Sequence, residues 1–239
     1  MGEETERREV RIQREYYSST ATHDDLTDIH AHDEHFMAFA FLEAAIEAYG
    51  VRSVLDVGAG AGRMVLLLKQ RFPDLIVKGI EPVDALRETG YRNGLSRDDL
   101  SEGDATELAF DDGQFDIVCE FGILHHIRKP RLAVEEMIRV GRMGIFISDT
   151  NNFGRGSALA RTVKQALDMF GLWKLADYVK TRGKGYTLSE GDGLAYSYSV
   201  FNDFPLIRKH CEVHVLNTSA GGVNPYRTAS HIALLGLKK

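Results

Sequence analysis

The chain has only two cysteines, Cys119 and Cys211, far apart and in no Cys-x-x-Cys pair. That excludes a disulfide framework and leaves two reduced, partly buried thiols as the expectation, as in a cytoplasmic protein. No apolar run reaches the roughly 18 residues that a membrane-spanning helix needs. Met1–Arg14 is densely charged and has no apolar core, unlike a secretory signal. Net positive charge is lacking too, since 29 Lys and Arg face 35 Asp and Glu for a formal charge of -6. A mildly acidic chain has no global attraction to a phosphate backbone, so no nucleic-acid partner is expected. Internal repeats and low-complexity tracts are also missing. What remains is an ordinary globular composition, 44% hydrophobic and 27% charged over 239 residues. That suffices for one domain with a substantial insertion.

Residues 1–34 are polar and include a run with His23, Asp24, Asp25, His30, His32, Asp33 and, just beyond, His35. Imidazoles and carboxylates suit divalent ions. The spacing matches no metal motif, so a polar lid over the substrate is expected and no metal. Phe36–Tyr49 is free of Gly and Pro and stops at Gly50, which predicts a helix. From Arg52 onward, short apolar runs alternate with longer helical patterns, the signature of a parallel α/β sheet. Strands are predicted at Ser53–Val57, Ile76–Ile80, Leu100–Glu102, Phe115–Glu120 and Gly144–Asp149. Helices are predicted at Gly62–Arg71, Val83–Asn93 and Pro130–Val140, the last with proline in its first turn. Residues 151–200 break the rhythm as a substrate-side insertion. Ser157–Lys180 has the spacing of two helices parted at Gly171, and Gly183, Gly185, Gly191 and Gly193 predict irregular structure. A helix near Asn202–His210 and two antiparallel strands, Glu212–Asn217 and His231–Leu237, complete the chain.

The most informative stretch is Val54-Leu55-Asp56-Val57-Gly58-Ala59-Gly60-Ala61-Gly62-Arg63. A buried strand runs through a glycine turn into an amphipathic helix. Glycine permits positive φ and lets a ligand approach the backbone, at the carboxyl end of a strand where α/β sheets bind ligands. Nicotinamide enzymes use such a turn too, but with the spacing G-x-G-x-x-G. Here it is G-x-G-x-G, and Asp56 precedes it. A diphosphate would not favour that carboxylate, whereas a ligand with an ammonium and a sulfonium would.

The stretch resembles motif I of the class I S-adenosylmethionine-dependent methyltransferases, and further landmarks follow in order. Glu81 ends the second strand, Gly103-Asp104-Ala105 follows the third, Phe115-Asp116-Ile117-Val118 resembles the fourth, and Ile123-Leu124-His125-His126-Ile127 resembles the signature after it. Glu135, Arg139 and Val140 resemble the family's next helix, while the usual Pro-Gly-Gly turn is reduced to Arg142-Met143-Gly144. The resemblance implies a doubly wound, Rossmann-like three-layer α/β/α sandwich with a mostly parallel seven-stranded sheet over residues 35–239, and S-adenosyl-L-methionine as cofactor. It implies cofactor contacts from Asp56, Gly58, Ala59, Gly60 and Gly62. Glu81 and Pro82 would meet the ribose, Asp104, Ala105 and Thr106 the adenine, and Glu120 and Phe121 the methionine part. Tyr17 would fold over the cofactor from the N-terminal segment.

Methyl transfer is an in-line displacement in which the enzyme mainly aligns the nucleophile. A hydroxyl nucleophile must also lose a proton, for which imidazole is best suited. His125 and His126 are therefore the candidate bases, with Asp149 orienting one of them. Successive helical residues diverge by about 100°, so only one histidine is expected to face the site. The expected acceptor is a small-molecule hydroxyl, less readily an amine. A protein or lipid acceptor, a non-catalytic cofactor-binding protein and a dehydrogenase are the alternatives. Arg155–Lys184 carries seven Lys and Arg against Asp168 and Asp177, with Phe170 and Trp173. A helical substrate lid is the first reading of this stretch, and contact with an anionic membrane surface the second. Nothing in the sequence fixes the oligomeric state.

Overall fold

Short, β-branched runs such as Ser53–Val57 and Phe115–Phe121 are buried on both faces, as strands in the middle of a parallel sheet must be. A computed structural model describes residues 2–20, 35–219 and 222–239. In chain order these residues form α1 (Gly2–Thr20), α2 (Phe36–Tyr49), β1 (Ser53–Val57), α3 (Arg63–Arg71), β2 (Ile76–Ile80), α4 (Asp84–Arg92), β3 (Leu100–Ser101) and β4 (Phe115–Phe121). There follow α5 (Pro130–Val140), β5 (Gly141–Thr150), α6 (Ala158–Met169), α7 (Trp173–Lys180), β6 (Tyr186–Ser189), β7 (Gly193–Tyr196), α8 (Phe204–His210), β8 (Cys211–Asn217) and β9 (His231–Lys238). The principal sheet has seven strands in the order β3-β2-β1-β4-β5-β9-β8. The first five run parallel, and β9 and β8 join antiparallel. The order reverses between β1 and β4, which opens a crevice at their carboxyl ends.

Alternation along the strands makes the three layers. Leu55, Val118, Ile145 and Ile147 pack on one face with Met137 of α5 and Ile207 of α8. Val54, Ile117, Cys119 and Phe146 pack on the other with Leu42 of α2 and Leu68 of α3. Gly50 stops α2 in the left-handed conformation at φ 63°, and Pro130 opens α5. Both cysteines are free and buried.

Two local expectations need correction. The strand predicted from Gly144 starts at Gly141, because α5 passes directly into it and the register against β4 shifts between Phe115 and Ile117. A Cβ on Gly144 would stand 2.1 Å from the Gly236 carbonyl oxygen, so the shortened turn still requires glycine there. The irregular structure predicted around Gly183–Gly193 contains an antiparallel hairpin, β6–β7. Its strands hold Tyr186, Thr187 and Tyr196, good strand formers, and its turn holds Gly191. The two helices parted at Gly171 are present as α6 and α7. Most of the histidine- and aspartate-rich run, residues 21–34, lies outside the described residues. No helix among the described residues is long and apolar enough to cross a membrane.

Candidate active site

The crevice is a cavity of about 540 Å³, within the range of small-molecule sites. Its floor is the loop from Asp56 to Arg63. Gly58, Gly60 and Gly62 have φ of 70°, 57° and 81°, values that side chains disfavour. The three differ in what a side chain would meet. A Cβ on Gly58 would sit 2.6 Å from Ile123 Cγ2 and one on Gly62 2.1 Å from Leu95 Cδ1, whereas one on Gly60 meets nothing within 4 Å. Gly58 and Gly62 are packing glycines. Gly60 bares backbone to open space in the cavity.

Two buried carboxylates face this loop. Glu81, at the end of β2, accepts the Gly60 amide at 3.0 Å on Oε2 and the Val83 amide at 2.8 Å on Oε1. A carboxylate has about four acceptor positions, so two remain for a ligand. Burial pushes the Glu81 carboxyl above its ordinary value, against the pull of the two amides. Asp56 is pushed up to about 7, chiefly by burial, with the neighbouring Glu81 charge adding to it. Two desolvated acids in one cavity favour a cationic ligand, whose charge interacts with both.

The other predicted contacts divide. Ala59, Pro82, Asp104, Ala105, Thr106, Phe121 and Tyr17 line the cavity. Asp104 is committed in part to its own turn, since Oδ1 accepts the Thr106 amide at 2.8 Å and its hydroxyl at 2.7 Å. Gly62 caps α3 behind the lining. Glu120 does not reach the cavity. It is fully buried, accepts the Ile123 amide at 2.9 Å, and its Oε1 meets no hydrogen-bond partner among the described residues. Burial first, and then the Asp149 charge, push its carboxyl well above the usual range.

Leu124–His126 form a single 3-10 turn after β4. Of the two histidines, His126 lines the cavity and His125 does not. The two rings lie 3.9 Å apart, and both Nε2 atoms reach the same Asp192 oxygen, at 3.5 Å from His125 and 3.4 Å from His126. A tight turn beside a glycine, with the hairpin folded over it, converges side chains that an extended helix would splay.

The two histidines differ in the partner of Nδ1. His125 Nδ1 meets Asp149 Oδ1 at 2.7 Å, and Asp149 also accepts the Leu124 amide at 2.8 Å. Burial penalises a charged His125, but the Asp149 charge and hydrogen bond, joined by Asp192, more than offset it and raise the imidazole to about 10. His125 is thus an imidazolium at neutral pH and holds Asp149 below the usual carboxylate range despite burial. His126 Nδ1 lies 2.7 Å from the Leu194 carbonyl. A carbonyl only accepts, so Nδ1 carries a proton, and whenever the ring is neutral its lone pair is on Nε2. That nitrogen faces the cavity and accepts from the Tyr17 hydroxyl at 3.0 Å. His125, His126 and Asp192 also have their ligand atoms within 4.8 Å of one another, the one group with metal-ligand spacing among the described residues. A cation there competes with the His125 proton and the Tyr17 hydroxyl for the same two nitrogens.

Sequence reasoning expected Tyr17 over the cavity from an N-terminal lid, but missed the helix that carries it and the polar contacts that hold it. Helix α1 lies over the cavity with Glu9, Gln13 and Tyr17, one face at helical spacing. Glu9 accepts the Tyr196 hydroxyl at 2.7 Å, Gln13 accepts the Leu194 amide at 2.7 Å, and Tyr16 donates to the Glu190 carbonyl at 2.7 Å. From the insertion, the hairpin therefore reaches the site through Asp192, Leu194 and Tyr196. Helices α6 and α7 line none of the cavity. His35, the last of the histidine-rich run, lines it as well and meets Ser148 Oγ at 3.0 Å.

Residues 55–147 match a family described as a methyltransferase domain. Among curated proteins, ajmaline N-methyltransferase of Rauvolfia serpentina is 32% identical over 101 residues, 40% of this chain and 34% of that protein. Phosphatidylethanolamine N-methyltransferase of Cereibacter sphaeroides is 34% identical over 132 residues, 53% of this chain and 63% of that protein. The chain thus spans less than two thirds of either relative. Among solved structures, a protein from Pyrococcus horikoshii superposes with a TM-score of 0.61 at 17% identity, covering 94% of this chain and 99% of that one. A SAM-dependent methyltransferase from Aquifex aeolicus gives 0.51 at 14% identity, covering 87% and 95%. At such identities the structures speak for the fold alone.

Proposed function

We propose that this chain, whose residues 55–147 match a methyltransferase-domain family, is a class I S-adenosylmethionine-dependent methyltransferase that transfers a methyl group to a hydroxyl of a small-molecule acceptor. The lining fits the cofactor. Gly60 has open space where a side chain would stand, and Asp56 and Glu81 supply buried negative charge for a ligand with two cationic groups. Glu81 has two acceptor positions left for ribose hydroxyls, and the Asp104–Thr106 turn borders the adenine side. When bound, S-adenosylmethionine supplies an electrophilic methyl carbon on a sulfonium.

His126 carries the acid–base role. Its Nδ1–H is anchored on the Leu194 carbonyl, so Nε2 is the proton-accepting atom and faces the cavity beside the Tyr17 hydroxyl. Asp192, 3.4 Å from that nitrogen, stands where positive charge arises when Nε2 takes the acceptor's proton. His125, already charged and held by Asp149, fixes the turn. Helix α1 excludes water from above, which strengthens these interactions. The contact of His126 Nδ1 with the Leu194 carbonyl, which leaves Nε2 beside the Tyr17 hydroxyl, is the observation that carries the reading. An amine acceptor is the second reading, favoured by the half-exposed Asp192 carboxylate, which suits an ammonium.

The test uses radiolabelled cofactor with matched panels of hydroxyl and amine acceptors. His126→Ala should lower kcat by about 100- to 10,000-fold, as loss of a general base does, while calorimetric affinity for the cofactor is retained. Full turnover in that variant removes His126 as the base.

A further inference from the structure

Helices α6 and α7 are amphipathic in the wrong sense for a globular domain. A surface helix normally buries its apolar stripe and shows its polar face. Here neither helix has a buried residue. Their polar side chains grip the domain. Lys164 donates to the Arg155 carbonyl at 2.7 Å and to that of Asn152, Gln165 to the Arg227 carbonyl at 2.9 Å, and Asp168 accepts the Tyr226 hydroxyl at 3.0 Å. Leu159, Val163 and Phe170 recur at helical spacing and point outward, followed by Leu172, Leu175 and Val179, each between 48% and 76% exposed. Single exposed apolar residues are ordinary, but a set of this size on two packed helices marks a surface that something covers.

Charge selects the occupant. Within residues 155–184 there are seven Lys and Arg, and the two acids, Asp168 and Asp177, are engaged by Tyr226 and Ser197. Burial, and then Lys180, Arg155 and Arg161 around it, pull the Lys164 ammonium down to about 8, a measure of how crowded the positive charge is. A second copy of this chain would set two cationic faces against each other. An anionic bilayer accepts both components, apolar side chains at the acyl boundary and lysines among the headgroups. We propose that α6 and α7 dock this chain on an anionic lipid surface, with Leu159, Phe170, Leu175 and Val179 inserted and Lys174, Lys180, Arg182 and Lys184 against the headgroups. The docking is independent of the acceptor's identity, since neither helix lines the cavity.

The experiment is partition of the full chain between buffer and vesicles of phosphatidylcholine alone or of equimolar phosphatidylcholine and phosphatidylglycerol. Trp173, the chain's one tryptophan, lies in α7 and gives a fluorescence readout. Binding to the anionic vesicles should be at least about ten-fold tighter and should weaken with salt. Lys174→Gln with Lys180→Gln should cost roughly thirty-fold, at about five-fold per basic charge. Leu175→Asp with Val179→Asp should abolish binding. Both pairs are exposed, so thermal melts should stay unchanged, and if the aspartate pair fails to fold, the glutamine pair decides alone. No partition of the wild type, or equal partition of the wild type and the glutamine pair, overturns the proposal. So does a lipid-free dimer in sedimentation velocity that the aspartate pair dissociates, because the face then belongs to a second copy.

Discussion

The charge on His125 has a measurable thermodynamic signature. In the unfolded chain an imidazole titrates near 6.5, and in the fold His125 is raised to about 10 by Asp149 and Asp192 acting against burial. A raised folded-state value means that the folded chain holds this proton more tightly. The stabilisation is therefore complete below about pH 6.5, falls as the pH rises above it, and is gone above about 10. The full displacement corresponds to about 5 kcal/mol. The lowered Asp149 carboxyl is the same interaction seen from the other side and adds nothing further. The assay is urea unfolding at closely spaced pH values for the wild type and His125→Gln, which keeps a donor for Asp149 and removes the titration. Other groups titrate in both proteins and cancel in the difference. That difference should be level below pH 6.5 and should then shrink by about 2–5 kcal/mol on the way to pH 10. Parallel curves would refute the reasoning, as would a His125 Cε1 proton resonance that titrates near neutrality. Either result would return His125 to the role of base.

Glu81→Gln replaces one acceptor oxygen with a donor. It should weaken S-adenosylmethionine binding by about 10- to 100-fold, the worth of a hydrogen bond to a charged group, and unchanged affinity in calorimetry removes the ribose assignment. Asp56 is a neutral acid below about pH 7, so affinity for the sulfonium cofactor relative to its uncharged-sulfur product should rise as the pH passes through 7. Asp56→Asn should flatten that ratio, and a ratio that keeps its slope in the variant excludes Asp56 as the group responsible. Tyr17→Phe removes the hydroxyl 3.0 Å from His126 Nε2 and should lower kcat by about 2- to 10-fold with cofactor affinity retained. An unaltered kcat disposes of any acid–base role for that hydroxyl.

The parts of the site that the sequence made legible are those built from neighbours in the chain. The strand, glycine turn and helix from Ser53 to Arg71 are contiguous, and their chemistry follows from positive φ and a strand end. Pro130–Val140 was readable to the residue because proline sets its start and the apolar stripe sets its face. Glu81 and Asp104 were readable because each ends a predictable unit. Of the roof only Tyr17 was, because long-range pairing builds the rest. Gln13 meets Leu194, and Tyr16 meets Glu190, across most of the chain. No local pattern encodes those contacts, although Glu9, Gln13 and Tyr17 at helical spacing do signal one helix face. The hairpin carried a local signal that went unread, since a glycine-bearing turn between strand formers is a hairpin pattern as well as a loop pattern.

The hairpin also explains why two adjacent histidines end with different work. Both occupy one turn, and both lie near the same Asp192 oxygen. What separates them is the partner of Nδ1. Asp149 is a buried carboxylate at the end of β5 and turns its histidine into a cation. The Leu194 carbonyl is neutral and leaves its histidine a lone pair. Asp149 comes from the half built on the principal sheet, whereas Leu194 comes from the half built by the insertion. The acid–base character of the site is thus set where the two halves meet. A change in the hairpin backbone at Leu194 would retune His126 without touching the cofactor loop, so acceptor chemistry can vary on this fold while cofactor binding stays fixed.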